Sequence, residues 1–121
     1  MIKIAIDAGH GLDTQGKEVP SYMGYGSIKE WELNDRVSTE LISRLKNYSN
    51  VEVLRTDDPT GETDVALRER TSKANEWGAD LFISNHHNAG IGGGDGGGLV
   101  IIRYPGSSQF TRKALASSRK T

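Results

Sequence analysis

The stretch LFISNHHNAG, residues 81–90, joins an apolar run to a polar end that contains two histidines. Its first four residues have the composition of a buried β-strand, and the change to His86 and His87 marks where that strand ends. The stretch IKIAIDAGHG, residues 2–11, has the same layout, with isoleucine at every second position and then His10 between two glycines. Two predicted strands therefore end in imidazole side chains.

The rest of the chain alternates between predicted strands and helices. Strands are predicted at 51–55 and 99–104, and helices at 30–46, at 65–77 and after Ser107 or Ser108, where the last helix contains Phe110 and Leu115. This alternation predicts an α/β fold with a mostly parallel sheet flanked by helices. The carboxyl ends of parallel strands lie at one edge, where ligands bind in such folds. We expect the histidines to share that edge.

Periodicity predicts which faces the two longer helices bury. The predicted buried stripes are Leu33, Val37, Leu41, Ile42 and Leu45 in the first helix, and Leu67, Ala74 and Trp77 in the second. Asp64 is predicted to cap the start of the second helix, and Gly78 fits the position after its end. Arg68 and Arg70 are expected on a solvated face of that helix, and the alternative is that one of them pairs with an acidic loop residue.

Composition and charge narrow the class of protein. The 121 residues fit one domain, and 15 Lys+Arg against 16 Asp+Glu give a net charge of -1. Nothing in this balance indicates a nucleic-acid or anionic-membrane partner, and no apolar run is long enough to span a bilayer. Because cysteine is absent, a metal ion would be held by His, Asp or Glu side chains.

Histidines and carboxylates brought together from separate elements form the ligand set of catalytic zinc. Zinc takes nitrogen and oxygen ligands in a tetrahedral arrangement and keeps one position for water. The carboxylates nearest the histidine-bearing elements are Asp7, Glu30 and Glu32. The residue types alone leave a second interpretation open, in which His10 and His86 are polar strand-end residues bonded to the backbone or exposed at the surface.

Several segments in series resemble one family. The family's opening strand and first zinc histidine are similar to IAIDAGHG at 4–11, and its glutamate and first helix are similar to KEWELNDRVSTEL at 29–41. A strand end of the family is similar to VLRTDD, and its second helix and second zinc histidine are similar to LRERTSKANEWGADLFISNHHNA. The series resembles the zinc-dependent N-acetylmuramoyl-L-alanine amidases of the amidase-3 type, found in bacterial autolysins and phage endolysins. The resemblance covers nearly the whole chain and implies that family's α/β fold, of phosphorylase/hydrolase-like type.

The resemblance implies that zinc is held by His10, Glu30 and His86. Glu32 is the rival carboxylate. Glu30 occupies the position that the family pattern requires, and Glu32 is then expected to face solvent.

Three further residues are expected near the metal. The family reads Ser-x-His-x-Asn, which here ends at Asn88 and singles out His86 rather than His87. His87 is expected either to line the substrate groove or to lie at the surface, and Asn88 to fix the loop by hydrogen bonds. Asp7 either orients a zinc histidine from behind or bonds the backbone of its turn, and the second role is slightly favoured.

The resemblance also implies a second glutamate, which serves as general acid and base near the C-terminal end of the family's domain. No residue after Tyr104 is acidic, so we expect this group beyond Thr121 and assign the general base to no residue of the sequence. Residues 1–121 then correspond to the N-terminal two-thirds of the catalytic domain, without its C-terminal part. Self-association that covers the incomplete sheet is expected for the same reason.

The predicted function is a zinc-dependent peptidoglycan hydrolase that cleaves the amide between N-acetylmuramic acid and L-alanine. The alternative is a non-catalytic or impaired zinc module that binds the cell wall. A third interpretation, in which the glycine loop 92–98 cradles phosphate, lacks the sequence signature of such loops. The N-terminus has no signal-peptide layout, so we expect the protein in the cytoplasm until its release, and then at the cell wall.

Overall fold

The computed structural model describes residues 1–19, 27–87, 108–109 and 111–113. Its elements are β1 (Ile2–Ala8), β2 (Glu18–Val19), β3 (Ile28–Lys29), α1 (Glu30–Leu45), β4 (Val51–Arg55), α2 (Leu67–Trp77) and β5 (Leu81–Asn85). The chain divides into two compact units, residues 1–87 and 88–121, and all seven elements belong to the first. No helix within the described ranges has the length and apolar character needed to cross a membrane.

The first unit is built on a three-stranded parallel sheet in the order β4-β1-β5. Ile4 of β1 is in register with Val53 of β4 and with Leu81 of β5. The middle strand is buried from Ile4 to Ala8, on both faces rather than on the single face that its alternating isoleucines predict, because a strand pairs with each of its edges and a helix covers each of its faces. The antiparallel pair β2-β3 forms a separate small sheet before α1. The prediction of a mostly parallel sheet flanked by helices is confirmed.

The helix α1 begins where the sequence predicts, but its most buried residues are not those of the predicted stripe. Its buried residues are Trp31, Asn34 and Ser38. Of the predicted stripe, Leu33, Leu41, Ile42 and Leu45 are half-buried, and Val37 is 46% exposed. Polar side chains enter the interface because they find partners there: Asn34 Nδ2 donates to the Gly9 carbonyl at 3.0 Å, and Asn85 Nδ2 donates to Ser38 Oγ at 2.9 Å. This orientation places the first residue of α1 beside the carboxyl ends of the strands.

The helix α2 departs from the prediction at its start and on its buried face. It begins at Leu67 after Ala66, which offers no side-chain acceptor, so Asp64 does not cap it. Ala74 is buried and Trp77 half-buried, as predicted, but Leu67 is 73% exposed. Arg70 is 3% exposed rather than solvated, and it pairs with the loop residue Asp64. Gly78 ends the helix in the left-handed conformation, with φ at 81°, as predicted.

The two helices cover opposite faces of the parallel sheet. On one face, Asp7 of β1 pairs with Arg70 of α2. On the other face, Asn85 of β5 contacts Ser38 of α1. A buried carboxylate needs a compensating partner, so Asp7 draws Arg70 inward. The apolar Leu67, which is the first residue of α2, is exposed.

Little of the second unit is described. Ser108 Oγ accepts a hydrogen bond from the Thr111 amide at 3.1 Å, which is the bond of an N-terminal helix cap. Ser108 is therefore the residue that caps the predicted last helix. Phe110, Leu115, the predicted strand at 99–104 and the glycine loop 92–98 lie outside the described residues.

Candidate metal centre

Three side chains from separate parts of the first unit converge beyond the carboxyl ends of the strands. His10 follows β1, Glu30 is the first residue of α1 and His86 follows β5. One ligand atom from each lies within 4.8 Å of the other two. Glu30 Oε2 is 3.4 Å from His10 Nε2 and 3.3 Å from His86 Nδ1, and the two rings meet edge to face with centroids 5.0 Å apart. The structure thus brings together the residues that the family resemblance implies as zinc ligands.

The protonation states of this cluster suit a cation. Burial lowers the pKa of His10, with Glu30 opposing that effect and His86 adding to it. Burial alone would raise the pKa of Glu30. Hydrogen bonds to its Oε2 from Asn34 at 3.0 Å and from the His87 amide at 3.3 Å, together with the two imidazoles, outweigh burial and lower that pKa. A neutral imidazole and an ionised carboxylate are the forms that bind a metal ion.

The backbone at His10 adopts a conformation that side-chain-bearing residues rarely take, with φ at 66°. Such a conformation costs about 1–3 kcal/mol and persists where the surroundings fix it. Arg70 supplies that restraint, because Nη2 donates to the His10 carbonyl at 3.0 Å and Nη1 to the Ala8 carbonyl at 2.8 Å. The buried guanidinium therefore holds the turn that aims His10 at Glu30.

Gly9 allows the turn after β1 and the His86 ring to lie against each other. A Cβ atom at this position would overlap the ring. The Gly9 amide also donates to the Asn85 carbonyl at 3.0 Å, which extends the pairing of β1 with β5 up to the site. The glycine is therefore required for close approach of the side chain.

Asn34 links the turn after β1 to the cluster of His10, Glu30 and His86. It is fully buried, and its Nδ2 donates to the Gly9 carbonyl and to Glu30 Oε2, each at 3.0 Å. Its Oδ1 lies 2.6 Å from His87 Nδ1. No role for Asn34 is predicted from the sequence. Its position four residues after Glu30, on the same helix face, is the signal that could have found it.

The other candidate residues take separate places. Glu32 is exposed, as expected, and its carboxylate accepts a hydrogen bond from the Lys29 amide at 2.9 Å. His87 is exposed and contacts the cluster through its backbone amide. Asp7 is 2% exposed and lies behind the cluster, bonded to side chains rather than to the backbone of its turn. Asn88 lies outside the described residues.

Comparison with known proteins agrees with this geometry. The Amidase_3 family, described as N-acetylmuramoyl-L-alanine amidase, matches residues 4–121. The chain belongs to the Amidase_3 family. It is 42% identical over 109 residues to N-acetylmuramoyl-L-alanine amidase CwlM of Bacillus licheniformis, and 40% identical over 95 residues to the sporulation-specific N-acetylmuramoyl-L-alanine amidase of Bacillus subtilis (strain 168). These matches cover 88% and 78% of the chain but 38% and 34% of the two relatives, so the chain spans less than half of their length.

Two solved structures share the fold of this Amidase_3 member. The catalytic domain of CwlV, an N-acetylmuramoyl-L-alanine amidase from Bacillus (Paenibacillus) polymyxa var. colistinus, is similar with a TM-score of 0.61 at 28% identity, over 74% of this chain and 47% of that one. The N-acetylmuramoyl-L-alanine amidase from Clostridium difficile 630 gives a TM-score of 0.66 at 29% identity, over 80% of this chain and 49% of that one. The predicted family and its fold are confirmed.

Proposed function

We propose that this chain is a zinc-binding catalytic region of a peptidoglycan hydrolase, which cleaves the amide bond between N-acetylmuramic acid and L-alanine. The main support is the convergence of His10, Glu30 and His86 at one edge of the sheet in a member of the Amidase_3 family. The ligand set supports the choice of metal. The family and the names of the relatives support the choice of substrate.

The donor atoms favour zinc over harder cations. Two imidazole nitrogens and one carboxylate oxygen are typical ligands of catalytic zinc, whereas magnesium and calcium take oxygen ligands. Bound zinc supplies Lewis acidity, which polarises a carbonyl group and makes water more acidic.

The chain's own residues prepare the ligands and leave them accessible. Asn34 and the His87 amide hold the Glu30 carboxylate in its ionised form, and partial burial favours neutral His10. His86 is the most open ligand, with 46% of its side chain exposed, against 23% for His10 and 15% for Glu30. A cluster that opens to solvent on one side suits a polymeric substrate such as peptidoglycan, which cannot enter an enclosed cavity.

Metal content tests the ligand assignment. Elemental analysis of the 121-residue chain is expected to find about one zinc ion per chain, lost in Glu30→Gln and in His86→Ala. Glu32→Gln is the matched control, because it makes the same change two residues later in α1 on an exposed side chain, and it should keep its zinc. The assignment would be overturned if the unchanged chain contained no zinc, or if Glu32→Gln lost its zinc.

Incubation with purified peptidoglycan tests the reaction. We expect release of peptides with a free N-terminal L-alanine at a reduced rate, because bound zinc makes water more acidic while no general base is assigned within the sequence, and we expect no release by His86→Ala. Zinc binding without alanine release would overturn the hydrolytic part of the proposal and favour a non-catalytic zinc module that binds the cell wall.

A further inference from the structure

We propose that Ser84 and Asp7 position His86 by holding the hydrogen of its imidazole on Nε2, so that Nδ1 is free to bind the metal ion. This role rests on the proposed zinc function. It concerns two residues that lie outside the ligand set and act on it through His86.

The two ring nitrogens of His86 face different partners. Nδ1 is 3.3 Å from Glu30 Oε2, inside the cluster, and Nε2 is 3.1 Å from Ser84 Oγ, outside it. A neutral imidazole carries one hydrogen, and the other nitrogen is the one that can accept a metal ion. The partner at Nε2 therefore decides whether Nδ1 is available.

Asp7 fixes the direction of the hydrogen bond between Ser84 and His86. Ser84 Oγ is 2.7 Å from Asp7 Oδ2, a length typical of a strong bond to a carboxylate. A carboxylate only accepts, so Ser84 donates its single hydrogen to Asp7. The hydroxyl then offers only lone pairs to His86, and Nε2 has to donate. If Ser84 Oγ donated to His86 Nε2 instead, Asp7 Oδ2 would lose the hydrogen bond that it accepts from Ser84.

The carboxylate that fixes this direction is itself held firmly. Asp7 is 2% exposed, and its Oδ1 accepts hydrogen bonds from Thr56 Oγ1 at 2.9 Å and from Arg70 Nη1 at 3.1 Å. Ser84 lies directly opposite Asp7 in the register of β1 with β5. The buried strand thus provides a fixed acceptor beside an exposed serine, and the serine hydroxyl bonds the imidazole of His86.

The Ser84→Ala variant removes the acceptor at little risk to the fold, because Ser84 is exposed. Loss of an outer partner of a metal-binding histidine costs about 10–100-fold in metal affinity, so we expect that loss of zinc affinity in chelator competition. Two controls should stay within about threefold of the unchanged chain. Ser84→Thr keeps the hydroxyl, and Ser38→Ala deletes a serine hydroxyl that bonds β5 through Asn85 Nδ2 rather than through the imidazole.

The hydrogen position can be measured without metal. At about pH 8.5, well above the ordinary pKa of histidine, nitrogen-15 NMR of the metal-free chain is expected to place the hydrogen of His86 on Nε2, and Ser84→Ala is expected to shift it toward Nδ1. Equal zinc affinity in Ser84→Ala, an unchanged tautomer, or an equal loss in Ser38→Ala would overturn the positioning role. Failure of the unchanged chain to bind zinc would overturn the proposed function instead, and the tautomer measurement would still decide the hydrogen position.

Discussion

Replacement of Arg70 by methionine is expected to destabilise the first unit severely. The side chain is 3% exposed and carries its charge between the sheet and α2. Its guanidinium donates five hydrogen bonds of 2.6 to 3.1 Å, to the carboxylates of Asp7 and Asp64 and to the carbonyls of Val65, Ala8 and His10.

The size of the loss follows from the partners that remain. Methionine fills similar space without charge, so Arg70→Met leaves Asp7 buried without a cation. Removing one partner of a buried ion pair costs about 3–5 kcal/mol. Asp64 contributes little because it is exposed, and the carbonyls that lose a donor add to the loss. We expect the free energy of unfolding to fall by about 3–5 kcal/mol, from a total of about 5–15 kcal/mol in typical domains.

Urea unfolding in the presence of a chelator measures this loss without a contribution from bound metal. Arg68→Met is the matched control, since it makes the same change two residues earlier in α2 on an exposed side chain, and it should cost less than about 0.5 kcal/mol. Arg70→Lys keeps the charge but lacks the planar fork, and should lie between the two. A loss below about 1 kcal/mol in Arg70→Met, or equal losses in both methionine variants, would refute the reasoning.

Gly9→Ala is expected to weaken zinc binding by at least about tenfold, because the added methyl group displaces the His86 ring. The free energy of unfolding is expected to change by less than about 1 kcal/mol, because the displaced ring is exposed. Chelator competition measures the zinc affinity, and urea unfolding measures the stability. The control is Gly16→Ala, because Gly16 has φ at 72° and open space around it. This variant should lose stability and leave zinc binding unchanged. Stability is also expected to fall with pH through Asp57. Burial would raise the pKa of this carboxyl, but hydrogen bonds led by Arg55 outweigh burial and lower it below 3.8. The stabilisation is therefore complete above pH 3.8 and is lost as the pH falls through the lower folded value. Urea unfolding from about pH 6 to about pH 2.5 should show a flatter profile for Asp57→Asn, and an unchanged profile would count against this assignment.

The position of the candidate site is predictable from the sequence because it depends on topology. Alternating isoleucines identify β1 and an apolar run identifies β5, and the parallel pairing of the two strands brings His10 and His86 to one edge. The identity of the carboxylate is harder to predict, since residue types alone admit Asp7, Glu30 and Glu32. The rotation of α1 about its axis places Glu30 beside the two histidines and Glu32 in solvent. The family resemblance also points to Glu30.

The buried faces of the helices are less predictable, because hydrophobic periodicity does not register polar partners. Val37 and Leu67 belong to apolar stripes and are exposed, while Asn34 and Arg70 are buried. Arg70 lies four residues before Ala74 and therefore on the same helix face, but a charged side chain is not counted in an apolar stripe and is expected in solvent. The sequence pattern does not reveal that a buried Asp7 needs its charge.

The residues that attach the helices to the sheet also hold His10 and Glu30, so the proposed zinc site predicts that stability and metal affinity are coupled. Asn34 joins α1 to the turn after β1 and bonds Glu30, and Arg70 joins α2 to β1 and bonds the His10 carbonyl. Changes at these two positions should therefore lower both properties together. Ser84 is exposed and bonds the imidazole of His86, so its loss should lower metal affinity alone. Asn34 and Arg70 are buried polar residues that apolar periodicity does not predict, and their bonds to Glu30 and to the His10 carbonyl explain their positions.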